Sequence, residues 1–292
     1  MAECAQTEKK NVVYDLKDQD FFESSDLKKV KVLGKGTFGK VYLVQPKSGP
    51  GRLLAIKKIS FTEDDRERRT QAFYEEVKFM QGLSHPHLVP CLLAVQCLDY
   101  FAIVMPYYPA GDLVELIGKQ ESSRVVRYMS HVAHAIEYLH RHDVAHIDVK
   151  LENVFVCESD CAHLGDLGMA MEVTHSSRTI LAAHMGGTME YWPPEKVNAD
   201  EHTRIDPFKC DVYAIGVMYW ILVSGQQPEK NVDYLAKVYA STDLDLFYTN
   251  WFTLEHLLHP KPAERPTASQ VITLLESDQE YTSVAEASEA GK

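Results

Sequence analysis

An α+β fold in two lobes is what the sequence predicts, on three observations. From Lys29 to Ile59 apolar residues alternate with polar ones, the period of strands. From Leu113 onward they recur at helical spacing. Between the two textures lies Pro106-Tyr107-Tyr108-Pro109-Ala110-Gly111-Asp112, where two prolines and a glycine make a linker. A mostly β part of roughly 80 residues therefore precedes a mostly α part about twice as long.

Composition bounds what such a protein does. The 292 residues are 45% hydrophobic, enough for a substantial core. With 30 Lys and Arg against 42 Asp and Glu, the formal charge of −12 argues against a nucleic-acid or general membrane-surface binder. No apolar run reaches bilayer length, and Met1-Ala2-Glu3-Cys4 has neither a signal-peptide core nor a myristoylation glycine. An intracellular setting, cytoplasmic or nuclear, is the expectation. The six cysteines (4, 91, 97, 157, 161 and 210) do not form a disulfide framework and read as reduced thiols. Cys157-x-x-x-Cys161-x-His163 offers only three metal ligands, and a hairpin explains its spacing.

In chain order, residues 1–26 form a polar extension whose one strong apolar pair, Phe21-Phe22, is expected to lay its rings on the body. Val30, Val32 and Leu33, then Val41, Leu43 and Val44, then Leu53 to Ile59 give three antiparallel strands, with a turn at Gln45 to Gly51. Gly34-x-Gly36-x-x-Gly39 falls between the first two. A dinucleotide fingerprint needs a helix after its glycines, and here a strand follows. The glycines therefore turn a hairpin that can expose backbone N–H groups to phosphate. Lys57 lies among apolar neighbours in the third strand, where an ammonium needs an anion. A nucleotide phosphate is one; the others are Glu75 and Glu76, in a helix over Arg69 to Leu83 marked by Phe73, Val77, Met80 and Leu83.

Strands are predicted over Leu88 to Val95 and Tyr100 to Met105, and helices over 113–118, 122–140, 208–224, 231–240, 251–258 and 267–276. The acidic, small-residue-rich stretch 276–292 reads as a disordered tail.

The chemistry concentrates in His146-Ile147-Asp148-Val149-Lys150-Leu151-Glu152-Asn153, a loop between a helical run and the short strand Val154-Phe155-Val156. Asp148 can accept a hydroxyl proton, Lys150 can steady phosphate charge, and Asn153 can offer its side-chain oxygen to Mg²⁺. Asp166-Leu167-Gly168 follows a strand from Cys161 to Gly165, turned at Glu158-Ser159-Asp160. Asn153 and Asp166 thus supply two oxygens for a hard cation. A cleft between the lobes is expected to receive the glycine turn and Lys57 from one side and Asp148, Asn153 and Asp166 from the other.

This ordered set of motifs resembles the eukaryotic protein kinase family over about residues 27–275, with an N-lobe at 27–105, a hinge at 106–112 and a C-lobe at 113–275. The resemblance implies a bilobal kinase fold and an ATP- and Mg²⁺-dependent phosphotransferase acting on protein hydroxyls. By it, Lys57 contacts the nucleotide phosphates and pairs with Glu76, Asp148 orients and deprotonates the acceptor, Lys150 stabilises the transferring group, and Asn153 and Asp166 hold Mg²⁺. Leu33, Gly34, Gly36, Gly39, Val41, Ala55, Met105, Pro106, Tyr108, Asp112 and Phe155 make up the rest of the implied ATP site. Met105 is its gate, Tyr108 supplies a hinge N–H, and Asp112 faces the ribose.

Lys150 and Gly187-Thr188-x-x-Tyr191 resemble the Ser/Thr branch. Glu195 is expected to pair with Arg265, and Asp211 to anchor the catalytic loop. Two positions depart from the family pattern. Ile147 stands where an Arg normally precedes the catalytic Asp, and His184 stands where a loop phosphate is commonly carried. Together they imply activity without phosphorylation of the loop that carries Ser176, Ser177 and Thr179. Leu167 replaces the family's Phe and is expected to pack against His146 and Met80. Met185, Met189 and Trp192 are expected to form an apolar pocket for the substrate residue after the acceptor. Glu152 and Asp112 are expected to attract a basic residue ahead of it. The alternative is a catalytically weak pseudokinase that binds ATP as a scaffold.

Overall fold

In the computed structural model the described residues are 12–16, 19–36, 39–119, 121–173, 178–241 and 244–290, with backbone alone for 244–249 and 280–290. Ser176 and Ser177, Thr37 and Phe38 at the hairpin tip, and most of the first 18 residues lie outside them. The chain divides into two units, Met1–Ser84 with Val89–Tyr107 and His85–Leu88 with Tyr108–Lys292.

The first unit is a six-stranded sheet. Its strands are β1 (Val13–Asp15), β2 (Leu27–Gly36), β3 (Gly39–Pro46), β4 (Leu54–Ser60), β5 (Leu93–Gln96) and β6 (Tyr100–Pro106), in the order β1-β5-β6-β4-β3-β2. Only β1 pairs in parallel, with β5. Two helices accompany the sheet, α1 (Phe21–Ser24) and α2 (Arg66–Gly82).

Register sorts the two faces. Val41, Lys57 and Ile103 are directly opposed across β3, β4 and β6, as are Leu43, Ala55 and Met105, so all six share a face. Phe101 lies on the same face, and Phe73 of α2 stacks on it with ring centroids 4.4 Å apart, which lays α2 across the Lys57 side. The reverse face carries Tyr42, Val44, Ile56, Ala102 and Val104. Phe21 and Phe22 are buried against this face, and Tyr100 accepts the Phe21 N–H at 2.8 Å. Phe21 and Phe22 of the amino-terminal extension are thereby part of the core.

Residues 88–92 depart from the predicted strand. Pro90 has no N–H to give a ladder, so β5 begins only at Leu93, and Leu88 makes an isolated bridge to Leu164 in the second unit.

The second unit is helical. Its helices are α3 (Ser122–Arg141), α4 (Pro194–Val197), α5 (Pro207–Ser224), α6 (Tyr234–Ala240), α7 (Leu244–Leu257) and α8 (Ala268–Ala290). Short ladders join β7 (Val144–Ala145) to β10 (Met171–Glu172), β8 (Val154–Val156) to β9 (Ala162–Leu164), and β11 (Ile180–Leu181) to β12 (Arg204–Ile205). The segment predicted as a helix at 113–118 is one 3-10 turn, Leu113–Leu116.

α5 is apolar on all sides and buried along nearly its whole length, as a central helix must be. Asp206 caps its start by accepting the Phe208 and Lys209 N–H groups. Gly225, at φ 68°, ends it by donating its N–H to Ile221 O.

Helix α8 runs over Ala268–Ala290, longer than the predicted 267–276. Asp278 is buried and accepts from Tyr219 of α5 at 2.9 Å, so the helix is docked at least to that residue. No helix among the described residues is long and apolar enough to cross a membrane.

Candidate active site

In the first unit, Lys57 on β4 and Glu76 on α2 are both buried, and Nζ lies 2.7 Å from Oε1. Phe73, Glu76, Val77 and Met80 form one stripe of α2, so the packing that seats Phe73 on the sheet also aims Glu76 at Lys57. The choice between the two carboxylates is a matter of helical phase. Glu75 is exposed and takes only the Gln71 amide.

Of the predicted nucleotide contacts in this unit, Val41, Ala55 and Met105 share the Lys57 face, and Pro106 closes β6 opposite Leu54. Leu33 is exposed at an irregularity in β2. Gly34 and Gly36 have open space where a Cβ would be, whereas a Cβ on Gly39, at φ 149°, would fall 2.1 Å from Lys58 O. Gly39 is therefore fixed by the fold, while Gly34 and Gly36 leave backbone uncovered.

In the second unit, Asp211 of α5 organises the catalytic loop. It is almost fully buried, and its two oxygens accept the N–H groups of His146 (2.8 Å) and Ile147 (2.9 Å), with His140 Nε2 at 2.9 Å. His146 Nε2 lies 3.0 Å from Gly165 O and so ties the loop to the segment bearing Asp166. Leu167 is buried there.

The loop's polar groups converge on Asp148. Its Oδ1 accepts the Thr188 N–H at 2.8 Å and the Thr188 hydroxyl at 2.7 Å, and its Oδ2 lies 2.7 Å from Lys150 Nζ. Lys150 also donates to Thr188 Oγ1 at 2.8 Å. Burial pushes the Asp148 carboxyl up, but hydrogen bonds from Lys150 and Thr188 and the Lys150 charge outweigh it. The group sits below the usual Asp value and is a carboxylate at neutral pH.

Asn153 donates Nδ2 to Asp148 O at 2.9 Å, which leaves its amide oxygen as the free ligand. Gly165 N–H bonds Asn153 O at 2.8 Å, and Asp166 follows in a left-handed conformation, φ 59°. One amide and one carboxylate oxygen fit Mg²⁺, which keeps waters and takes phosphate oxygens for its other positions.

Tyr108 stacks on Phe155 with centroids 5.8 Å apart, and Asp112 makes an isolated bridge to Phe155. Asp112 also caps the following turn by accepting the Val114 N–H.

Three further groups frame the loop. Arg265, buried, holds Glu195 by two 2.7 Å bonds. Tyr191 approaches the loop with its hydroxyl, receiving the Leu151 N–H and donating to Glu152. Lys196, the buried lysine that follows Glu195, donates to Gly186 O and lies over the Trp192 ring; burial lowers it to about 8. Thr188 and Lys196 are the site residues that sequence reading missed. In the sequence Thr188 stands out only within the Gly187-Thr188-x-x-Tyr191 signature, and nothing local marks Lys196 as buried.

Ile147 takes φ 73°, unusual for a β-branched residue. Its side chain packs against the cluster of Ala182, Met185, Ile205 and Cys210, as do the partly buried Met171, Ile180 and Ala199. Met185 is buried in this cluster yet lines a small cavity together with Trp192, Asp148 and Thr188, whereas Met189 is exposed. His184 is exposed.

The sequence profile of the family described as Protein kinase domain matches residues 27–274. Mitogen-activated protein kinase kinase kinase 2 of Arabidopsis thaliana is 30% identical over 209 residues, which cover 69% of this chain and 31% of that protein. Aurora/IPL1-related protein kinase 2 of Caenorhabditis elegans is 29% identical over 223 residues, 75% of this chain and 70% of its own length. NUAK family SNF1-like kinase 2 of Homo sapiens is 31% identical over 202 residues, 68% of this chain and 31% of that protein. The chain thus matches about a third of the length of the plant and human relatives. With a profile match over most of its length, the chain belongs to the protein kinase family.

Proposed function

We propose that this chain transfers the γ-phosphoryl group of ATP to Ser or Thr hydroxyls of protein substrates, and that it does so without phosphate on the segment between Asp166 and Glu195. The observation that carries the reading is the Asp148 constellation. The Thr188 hydroxyl lies 2.7 Å from Asp148 and 2.8 Å from Lys150, the two groups a substrate hydroxyl needs. Asp148 orients the acceptor and takes its proton, Lys150 offsets charge on the transferring group, and Lys57, held by Glu76, binds nucleotide phosphate. Asn153 and Asp166 would hold Mg²⁺, which would supply charge neutralisation at the phosphates. Lys150 and the Thr188 contact support the Ser/Thr branch. An intracellular location accords with the free thiols at all the described cysteines.

Independence from loop phosphate is supported by the Ile147 cluster. Apolar packing and the β11–β12 ladder hold the segment where an Arg–phosphate pair otherwise serves.

The test is radiolabelled ATP transfer by phosphatase-treated protein with Mg²⁺ and a general protein substrate, beside Lys57→Met and Asp148→Asn. Wild-type transfer, with a loss of about 10²- to 10⁴-fold in Asp148→Asn, is the expected result. Phosphoamino-acid analysis then separates Ser/Thr from Tyr. Absence of transfer, with Mg²⁺-ATP still raising the melting temperature, would favour a nucleotide-binding scaffold.

A further inference from the structure

The turn that joins β8 to β9 carries a pair of thiols that the phosphotransfer reading leaves unused. β8 and β9 run in register with Val156 opposite Ala162, so the next opposed pair is Cys157 and Cys161. Cys157 N–H donates to Cys161 O at 3.0 Å. Directly opposed hydrogen-bonded residues of antiparallel strands stand about 5.5 Å apart at Cα and send their side chains to the same face. A disulfide spans about 4.4–6.8 Å at Cα, so the backbone already meets its requirement.

The sulfurs converge on one residue. Cys157 Sγ lies 3.0 Å from Ser159 Oγ, and Cys161 Sγ lies 3.7 Å from Ser159 O. The turn itself is fixed from outside, because Asp160, at φ 60°, is gripped by Arg124, Arg127 and Tyr128 of α3.

Reactivity is selective as well. Both thiols are partly exposed, whereas Cys97 and Cys210 are buried. Burial is the largest single effect on the Cys157 thiol and raises it, but the Ser159 hydroxyl, backbone groups of Cys161 and Ser159, and the Cys161 thiol together bring it below the ordinary value. Burial pushes Cys91, Cys97 and Cys210 up instead. Thiolate character and access therefore coincide at Cys157.

We propose that Cys157 and Cys161 form a redox-active dithiol that a hydroperoxide closes into an intramolecular disulfide. The Cys157 thiolate attacks one peroxide oxygen and the O–O bond breaks. For hydrogen peroxide this gives the sulfenic acid and hydroxide. The Cys161 sulfur then attacks the sulfenic sulfur, the S–S bond forms, and the S–O bond breaks. The departing hydroxide takes the Cys161 proton as water. Two thiols and one hydrogen peroxide thus give one disulfide and two waters, a two-electron oxidation reversed by a dithiol reductant. The crosslink clamps a hairpin whose β8 strand begins directly after Asn153 and whose β9 strand leads to Asp166. The chemistry does not depend on the chain's turnover of ATP.

Mapping the full-length protein after a few equivalents of hydrogen peroxide tests this directly. Cleavage after Glu158 or Asp160 parts the two cysteines, so a joined pair of peptides that dithiothreitol releases is the expected result, with Cys97 and Cys210 still open to alkylation after denaturation. In Cys161→Ser, oxidation should halt at a dimedone-reactive sulfenic acid on Cys157. In Cys157→Ser, Cys161 should remain a thiol at the same dose. Separate peptides carrying free or over-oxidised Cys157, or Cys157 joined to Cys4 or Cys91, would overturn the proposal.

Discussion

At the scale of single residues, Thr188 shows how a side chain away from the catalytic loop governs the loop's carboxylate. It gives Asp148 two hydrogen bonds and receives one from Lys150, so it both orients the Asp148 carboxylate and lowers its proton affinity. Thr188→Ala removes the hydroxyl donor and leaves the backbone one. The Asp148 pKa then rises, and the acid limb of the kcat–pH profile moves to higher pH; Thr188→Ser should restore wild-type behaviour. Activity near neutral pH should fall by about 10- to 100-fold in the alanine variant, since small displacements of a positioned group cost that much. An unchanged acid limb would mean the threonine only fills space. Lys196 acts one step further out, holding the Gly186 carbonyl. Gly187, at φ 98°, lets the chain turn there because a Cβ would meet Ile147 O at 2.7 Å. Neither role is written in local sequence, because each depends on a contact made across the folded loop. Asp148, Lys150, Asn153 and Asp166 were legible because their spacing itself encodes the chemistry.

At the scale of elements, what the sequence disclosed was what repeats along it. The alternation in β2–β4 and the apolar stripe of α3 came through, with α3 expected at 122–140 and found at Ser122–Arg141. Two features were hidden. β1 is three residues long and pairs in parallel with a strand about 80 residues away, a choice made by a vacant sheet edge rather than by its own pattern. The stretch just after Glu276 reads as solvated by composition, yet Asp278 is buried. That carboxyl supplies a measurable consequence. Tyr219 has one hydroxyl proton and two acceptors beside it, Asn250 Oδ1 and Asp278 Oδ2. A protonated Asp278 resolves the shortage, and burial accordingly lifts its pKa from 3.8 to about 6. The native state therefore binds more protons than the unfolded state between about pH 4 and 6, so stability falls as pH rises through that window and stays reduced at pH 7. Asn at 278 can donate to Tyr219 without carrying charge. Asp278→Asn should raise stability at pH 7 by ~2–3 kcal/mol, from a shift of about two units at ~1.4 kcal/mol each. It should also flatten the pH 4–6 slope of denaturant midpoints. Destabilisation by the substitution would show that the carboxylate is ionised and well solvated.

At the scale of the whole molecule, each unit completes its own share of the polar machinery internally, Lys57 with Glu76 in one and Asp148 with Lys150 and Thr188 in the other. The proposed independence from loop phosphate turns on how the segment between Asp166 and Glu195 is held. Its described residues from Arg178 onward are fixed by the β11–β12 pairing and by burial of Ala182 and Met185 against Ile147, Ile205 and Cys210. These forces carry no net charge, so they are indifferent to phosphate and weakly affected by salt. A segment docked through an Arg–phosphate pair would respond to both. Ile205, 4% exposed, tests the difference. Ile205→Asp places an unpaired carboxylate in the cluster, which costs several kcal/mol unless the segment leaves. Ile205→Val removes one methylene, for about 0.5–1.5 kcal/mol. Phosphatase-treated Ile205→Asp should lose most phosphoryl transfer and show faster amide exchange over 178–190, with exchange in α3 unchanged. Ile205→Val should keep transfer within a few-fold. Rescue of Ile205→Asp by phosphorylating Thr179, whose hydroxyl lies 3.1 Å from Arg204 Nε, would show that a charge-based dock remains available in this chain and would overturn the view that packing alone sets the segment.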